Sequence, residues 1–182
     1  MTLSIIMYHY VRPIKNSIFK NIKGLELKKF CNQLDYFNKN YNILSYDEIV
    51  YLIKSNKELP NNSLWLTFDD GYSDHFLYAL PELKKRKLKA SFFPPANPIL
   101  NKKLLDVNAI HFILEKINDS KNLIESLQNQ CSKFGITNKQ FQTYKNNIDT
   151  SSRFDDQNTI FFKRMLQTYL PFDIRIKIIQ NL

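Results

Sequence analysis

The chain has 182 residues, which is enough for one ordinary domain with a real hydrophobic core. Apolar residues make up 43% of it and aromatic residues 14%, which argues against an intrinsically disordered chain. The formal net charge of +9 is spread over both halves without a basic tail, so we expect no nucleic-acid partner.

The first predicted element is a buried strand from Leu3 to Tyr8, with His9 at its C-terminal tip. Met1 to Val11 lacks the basic start and the long apolar core of a secretory signal peptide. No apolar run approaches the roughly 20 residues that a membrane span needs. We therefore expect a cytoplasmic protein without a transmembrane segment, at most peripheral to a membrane.

A helix, a short strand and a second helix follow in the predicted order. Leu25 to Asn38 has apolar residues at helical spacing, and Asn42 to Leu44 is a short strand. Ser45 and Glu48 form the pattern of a capping box, which begins a helix that runs to about Lys54. This alternation predicts parallel strands joined by right-handed crossovers.

The stretch from Leu64 to Asp74 contains the residues with the clearest chemistry. Leu64 to Phe68 reads as a buried strand, and Asp69, Asp70 and Gly71 follow it directly. At such a tip one carboxylate can bind a cation while the other, with a raised pKa, acts as a general base. The alternative is that Asp70 and Gly71 form a simple turn and that Asp69 caps the next helix. Only three glycines occur in the chain, so we expect Gly71 to answer a backbone requirement.

Three strings resemble the polysaccharide deacetylases, the NodB-homology carbohydrate esterases. Thr67 to Tyr72 reads Thr-Phe-Asp-Asp-Gly-Tyr and resembles the first motif of that family. Ile6 to Val11 is similar to the Met-Tyr-His strand that opens many members, and Ala90 to Phe93 resembles the strand after the first motif. The resemblance covers residues 1 to about 98. It implies an α/β fold, namely the N-terminal part of a distorted (β/α) barrel.

The same resemblance implies roles for individual residues. Asp69 would be the general base, and Asp70 would bind a divalent metal, zinc or a similar ion. His9 and Tyr72 would contact the sugar. The implied enzyme is a hydrolase for carbon–nitrogen bonds other than peptide bonds, which removes N- or O-acetyl groups from a carbohydrate or glycan. For His75 the sequence leaves two options: an exposed position in the first helical turn, or a place in the sugar cleft.

Residues 99–182 have a different character, so we predict two domains, a half-barrel over 1–98 and a helical insertion or extension over 99–182. Helical patterns appear at 107–117, 123–127, 160–169 and 174–179, and no convincing strand appears. The basic run from Lys84 to Lys87 is expected to be a solvated helix end.

The second half lacks the later His-x-x-x-His motif that supplies two more metal ligands in the family. We therefore expect the chain to be an N-terminal piece of a longer deacetylase, a natural truncation or a degenerate homologue, and we expect its metal site to be incomplete. The alternative function is a catalytically silent carbohydrate-binding or assembly protein, and a third is a basic nucleic-acid-binding domain. Because half a barrel leaves an apolar sheet face uncovered, we also expect self-association.

Overall fold

The computed structural model describes residues 2–117 and 119–182. Met1 and Asn118, which fall within the two predicted domains, lie outside the described residues. The chain separates into two compact units, residues 1–102 and residues 103–182.

Strands and helices alternate along the first unit. Its elements are, in chain order, β1 (Leu3–Tyr8), β2 (Val11–Arg12), a 3-10 turn (Ile14–Asn16), β3 (Leu25–Glu26), α1 (Leu27–Asn40), β4 (Asn42–Ile43), α2 (Tyr46–Lys54), β5 (Ser63–Asp69), a π-helical turn (His75–Ala79), α3 (Leu80–Lys85), β6 (Ser91–Phe93) and α4 (Ala96–Asn101). The predicted elements are present in the predicted order, with boundaries that differ by a few residues. The structure adds two short strands, β2 and β3, and Leu25, where the first helix was expected to begin, belongs to β3.

Strand β5 is the centre of a parallel sheet. It pairs with β1 along its whole length, while β4 pairs with its first residues and β6 with its last ones. Because a strand has two edges, β4 and β6 share the edge opposite β1. Strands β2 and β3 form a separate parallel pair. The structure thus confirms a mixed α/β fold with parallel strands; the barrel itself stays a prediction.

The two faces of this sheet differ. Leu64, Leu66 and Phe68 of β5 are buried and share one hydrophobic core with Phe30 and Leu34 of α1. Side chains alternate along a strand, so the intervening residues lie on the opposite face.

That opposite face is partly uncovered: Thr67 of β5 is buried on it, while apolar side chains of the neighbouring strands are exposed. Ile5 is 54% exposed, Met7 58% and Phe93 49%, although all three belong to paired strands. We call these three residues the bare sheet face.

The start of α2 follows the predicted capping box. The Glu48 backbone N–H donates to Ser45 Oγ at 3.3 Å, and the Ser45 backbone N–H donates to Glu48 Oε2 at 2.8 Å. Two of the otherwise unpaired N–H groups of the helix start are thereby satisfied, which is why the helix begins here.

Helices enclose the core of the second unit. They are α5 (Asp106–Lys116), α6 (Ser120–Lys133), α7 (Asn138–Asn147), α8 (Gln157–Arg164), a π-helical turn (Met165–Tyr169) and α9 (Phe172–Asn181). No strand occurs in the described part of this unit, as predicted. Helix α7 was not predicted because it buries little apart from Phe141; the missed signal is the capping box of Thr137 and Gln140.

Within the described ranges, no helix has the length and the apolar character that crossing a membrane requires.

Candidate active site

Asp69 and Asp70 lie at the C-terminal tip of β5, as predicted. Asp69 is the last residue of the strand and stands opposite Phe93 of β6. By strand alternation its side chain lies on the face that also presents Thr67, which is the side of the bare sheet face. Asp70 follows with a φ of +68°, a left-handed conformation that non-glycine residues rarely adopt and that tends to occur at functional turns.

Gly71 continues this turn and is required there for two reasons. Its φ is +63°, which a residue with a Cβ adopts only under strain. A Cβ at this position would also lie 2.8 Å from Cβ of Pro94, closer than real side chains approach. The expectation that Gly71 answers a backbone requirement is confirmed.

Tyr72 folds back onto the turn. Its hydroxyl donates a hydrogen bond to Asp70 Oδ2 at 2.6 Å, and its ring stacks on Tyr10 with 4.2 Å between ring centroids. Burial, followed by the hydrogen bond to Asp70, raises the pKa of Tyr72 far above that of a free phenol. Tyr72 therefore stays protonated and acts as the donor of this pair.

An ion pair joins the end of β2 to the start of the helical segment that follows the turn. Arg12 Nε donates to Asp74 Oδ2 at 2.6 Å and Arg12 Nη2 donates to Asp74 Oδ1 at 2.8 Å, so the pair is bidentate. Only 4% of the Asp74 side chain and 14% of the Arg12 side chain are exposed. The Arg12 guanidinium also lies 5.6 Å from the centre of the Tyr10 ring.

His75 is buried, with 4% of its surface exposed, so the exposed first-turn position is wrong. Its Nε2 lies 2.7 Å from the backbone carbonyl oxygen of His9; because a carbonyl only accepts, Nε2 is assigned as the protonated donor. Burial lowers the pKa of His75, which favours the neutral ring. The reason for the burial is packing: the ring lies against Phe68 and Tyr72.

The side chain of His9 is exposed at the tip of β1, on the same sheet edge as Asp69. His9 contacts His75 through its backbone carbonyl and not through its ring. The sugar contact predicted for the His9 side chain therefore stays a prediction. Tyr72 is half-buried and is engaged by Asp70 and Tyr10, and its predicted sugar contact likewise stays a prediction.

A cavity of about 280 Å³ opens beside the aspartate turn and is almost entirely apolar. Its lining residues are Gly71, Tyr72, His75, Phe76, Leu80, Phe92 and Pro94.

The described residues do not form a complete metal site. In residues 2–117 and 119–182 no three histidine, cysteine, aspartate or glutamate side chains come together in a way that could hold an ion. After the aspartate turn, the Asp74 carboxylate is engaged by Arg12 and His75 Nε2 by the His9 carbonyl, while His75 Nδ1 is buried without a hydrogen-bond partner. Zinc sites in proteins use about three or four protein ligands, so these residues do not fit a metal centre on their own.

Three residues of this cluster were missed in the sequence: Tyr10, Arg12 and Asp74. Arg12 and Asp74 are 62 positions apart, and no spacing rule links them. The only available signal was their position, since each lies within a few residues of the C-terminal tip of a predicted strand.

Comparison with known proteins shows which family part of this chain resembles. Residues 56–130 match the family model described as polysaccharide deacetylase. The Bacillus subtilis protein YxkH, which carries the same family name, is 30% identical over 92 residues, or 50% of this chain and 31% of that protein. The resemblance to the polysaccharide deacetylases is confirmed. It is partial, since the chain spans less than a third of the length of this curated relative.

Three solved structures are similar over part of the chain. The deacetylase PplD of Streptococcus pyogenes, in complex with acetate, is 29% identical with a TM-score of 0.44, over 50% of this chain and 41% of its own. IcaB from Ammonifex degensii is 26% identical with a TM-score of 0.43, over 54% and 42%. A de-N-acetylase from Aggregatibacter actinomycetemcomitans is 24% identical with a TM-score of 0.44, over 50% and 37%.

Proposed function

We propose that the aspartate turn belongs to a deacetylase site that hydrolyses an N- or O-acetyl group on a carbohydrate. The observation that carries this proposal is the adjacency of Asp69 and Asp70 at the tip of β5, inside the range that matches the polysaccharide deacetylase model. The carboxyl ends of parallel strands are where α/β proteins place their reacting groups. The left-handed conformation of Asp70, directly after the strand residue Asp69, supports two different roles for these neighbours, because their backbone environments differ.

Asp69 is the proposed general base. Its carboxylate would take a proton from the water that attacks the acetyl carbonyl, which forms a tetrahedral intermediate. Collapse of that intermediate breaks the bond to the sugar nitrogen or oxygen, releases acetate and returns a proton to the leaving amine or hydroxyl. A positioned base of this kind typically contributes about 10²–10⁴-fold in rate.

Asp70 is the residue that the family resemblance would give to a divalent metal such as zinc. Because the described residues supply no complete ligand set, we assign no step of the reaction to a metal. In this chain the contact made by the Asp70 carboxylate is with the hydroxyl of Tyr72.

The test is acetate release by the full chain from an N-acetylated and an O-acetylated oligosaccharide. Asp69→Asn keeps the shape of the side chain and removes the base, so it should lower the rate by about 10²–10⁴-fold. Asp47→Asn, which changes an exposed carboxylate in the first turn of α2, is the matched control and should leave the rate unchanged. If the wild-type chain releases no acetate, or if Asp69→Asn matches the control, the proposal fails for this chain.

A second candidate function is carbohydrate binding without turnover. It is favoured by the incomplete ligand set in the described residues. A chain of this kind would bind the acetylated oligosaccharide in calorimetry, equally well with and without a chelator, and would release no acetate. Binding accompanied by acetate release would exclude this second function.

A further inference from the structure

Two metal-capable side chains near the aspartate turn, those of Asp74 and His75, already contact other protein groups. Both carboxylate oxygens of Asp74 accept from Arg12, at 2.6 and 2.8 Å. His75 is buried and directs Nε2 to the His9 carbonyl. A cation that took Asp74 as a ligand would have to displace Arg12, whose guanidinium would then lose the carboxylate it contacts. The second ring nitrogen of His75, Nδ1, is buried and has no hydrogen-bond partner. Among the described residues, however, no third metal-capable side chain joins Asp70 and His75 in a group that could hold an ion.

Asp70 itself is engaged by a donor that is built into the fold. The Tyr72 hydroxyl lies 2.6 Å from Asp70 Oδ2, a distance typical of a strong hydrogen bond to a carboxylate. The Tyr72 ring cannot swing away freely, because it stacks on Tyr10, which is 3% exposed. The donor is therefore preorganised, and an ion that needs this oxygen must displace it.

We infer that residues 69–72 form a turn that keeps its shape through the Tyr72–Asp70 hydrogen bond, without a divalent cation, and that this chain takes up no zinc through Asp70. The inference rests on the proposed function in one point, namely that Asp70 is the residue which the family resemblance would assign to the metal. It makes Tyr72 a positioning residue for the Asp70 carboxylate.

Two measurements on the full chain test this. Equilibrium dialysis against zinc chloride compares wild type with Asp70→Asn, and the bound zinc should be the same in both. Thermal unfolding is followed through Trp65, the single tryptophan, which lies on β5 and reports on the first unit. The Tm of the wild type should be the same in zinc chloride as in a chelator, since a ligand that does not bind the folded state cannot stabilise it.

The variant Tyr72→Phe retains the ring stack and removes only the hydroxyl. It should lower the Tm seen by Trp65 by about 5 °C, with or without zinc. Tyr36→Phe, at a tyrosine that is 57% exposed on α1, is the matched control and should leave the Tm unchanged.

Two results would overturn the inference. The first is zinc that binds to the wild type, raises its Tm and is lost in Asp70→Asn. The second is a Tyr72→Phe variant that unfolds at the wild-type temperature. The first result would at the same time support the proposed deacetylase function. An absence of acetate release would count against that function and leave the inference standing. The proposed function and the inference can therefore fail separately.

Discussion

The two units bury their apolar residues in different ways. In the described part of the second unit, five helices and a π-helical turn surround one core, whose fully buried members include Leu127 and Phe162. In the first unit helices cover one face of the sheet, while the other face presents Ile5, Met7 and Phe93 to solvent. The unit with the candidate chemistry is thus the one with the less complete packing. Polar contacts help to hold its strand tips in place, namely the Arg12–Asp74 ion pair and the contact of His75 with the His9 carbonyl. Substitutions at these contacts test the difference between the two units.

The largest loss of stability is expected when the Arg12–Asp74 ion pair of the first unit is broken. Asp74→Ala leaves Arg12 largely buried without its partner, which should cost about 3 kcal/mol of unfolding free energy, measured by Trp65 fluorescence in denaturant. The corresponding pair of the second unit, Lys163 with Asp155, joins at a single contact of 2.6 Å. Burial lowers the pKa of Lys163, so desolvation weighs against this pair.

Asp155→Ala, followed by circular dichroism, should therefore cost less, about 1–2 kcal/mol. An Asp74→Ala effect no larger than that of Asp155→Ala would show that the Arg12 pair is not the main polar support of the strand tips.

The next effect is a pH dependence confined to the first unit. Burial holds the pKa of His75 below its ordinary value of about 6.5, so below that pH the unfolded chain binds a proton that the folded chain does not. Stability should be greatest above pH 6.5 and fall by up to about 1.4 kcal/mol per pH unit below it, until the folded-state pKa is reached.

The control for this prediction is His75→Gln, which retains an N–H donor for the His9 carbonyl and does not titrate. In the variant, the decrease of the unfolding free energy with falling pH that His75 causes should be absent between pH 7.5 and 5.5. The unfolding free energy at each pH is obtained from Trp65 fluorescence. An unchanged slope would mean that another group is responsible.

The smallest effect on stability, and the most visible effect on assembly, is expected at the bare sheet face. Met7→Lys places a charge on an exposed position, so the unfolding free energy should change by no more than about 0.5 kcal/mol. Because exposed apolar patches favour association, the wild-type chain should sediment as an oligomer and the variant as a monomer.

Phe154→Lys, at a ring of the second unit that is 85% exposed, is the control for that experiment and should leave the oligomer intact. A wild-type chain that sediments as a monomer at all concentrations would contradict the prediction of self-association.

Local signals in the sequence located most of the fold. The strand before Asp69, the capping box of Ser45 and the parallel α/β order follow from periodicity and short-range pairing, and the structure has all of them. The position of the two aspartates at a strand tip was also predictable, because a buried apolar run ended there.

The long-range contacts that hold the site residues in place could not be predicted in this way. The Arg12–Asp74 pair and the contact of His75 with the His9 carbonyl join residues that only the β1–β5 pairing brings together. His75 reads as an exposed helix residue from spacing alone, and it is buried because aromatic rings on neighbouring elements surround it. Helix α7 shows the same limit, since few of its residues are apolar and its start depends on a cap.

The central claim is that Asp69 acts as a base at the tip of β5, and the most direct test is the ratio of acetate released by the wild type to that released by Asp69→Asn. With an acetylated oligosaccharide at saturation and Asp47→Asn as the reference, the account predicts a ratio of about 100 or more. A ratio near one, with acetate released by both chains, would contradict it and leave Asp69 as a residue that only shapes the turn.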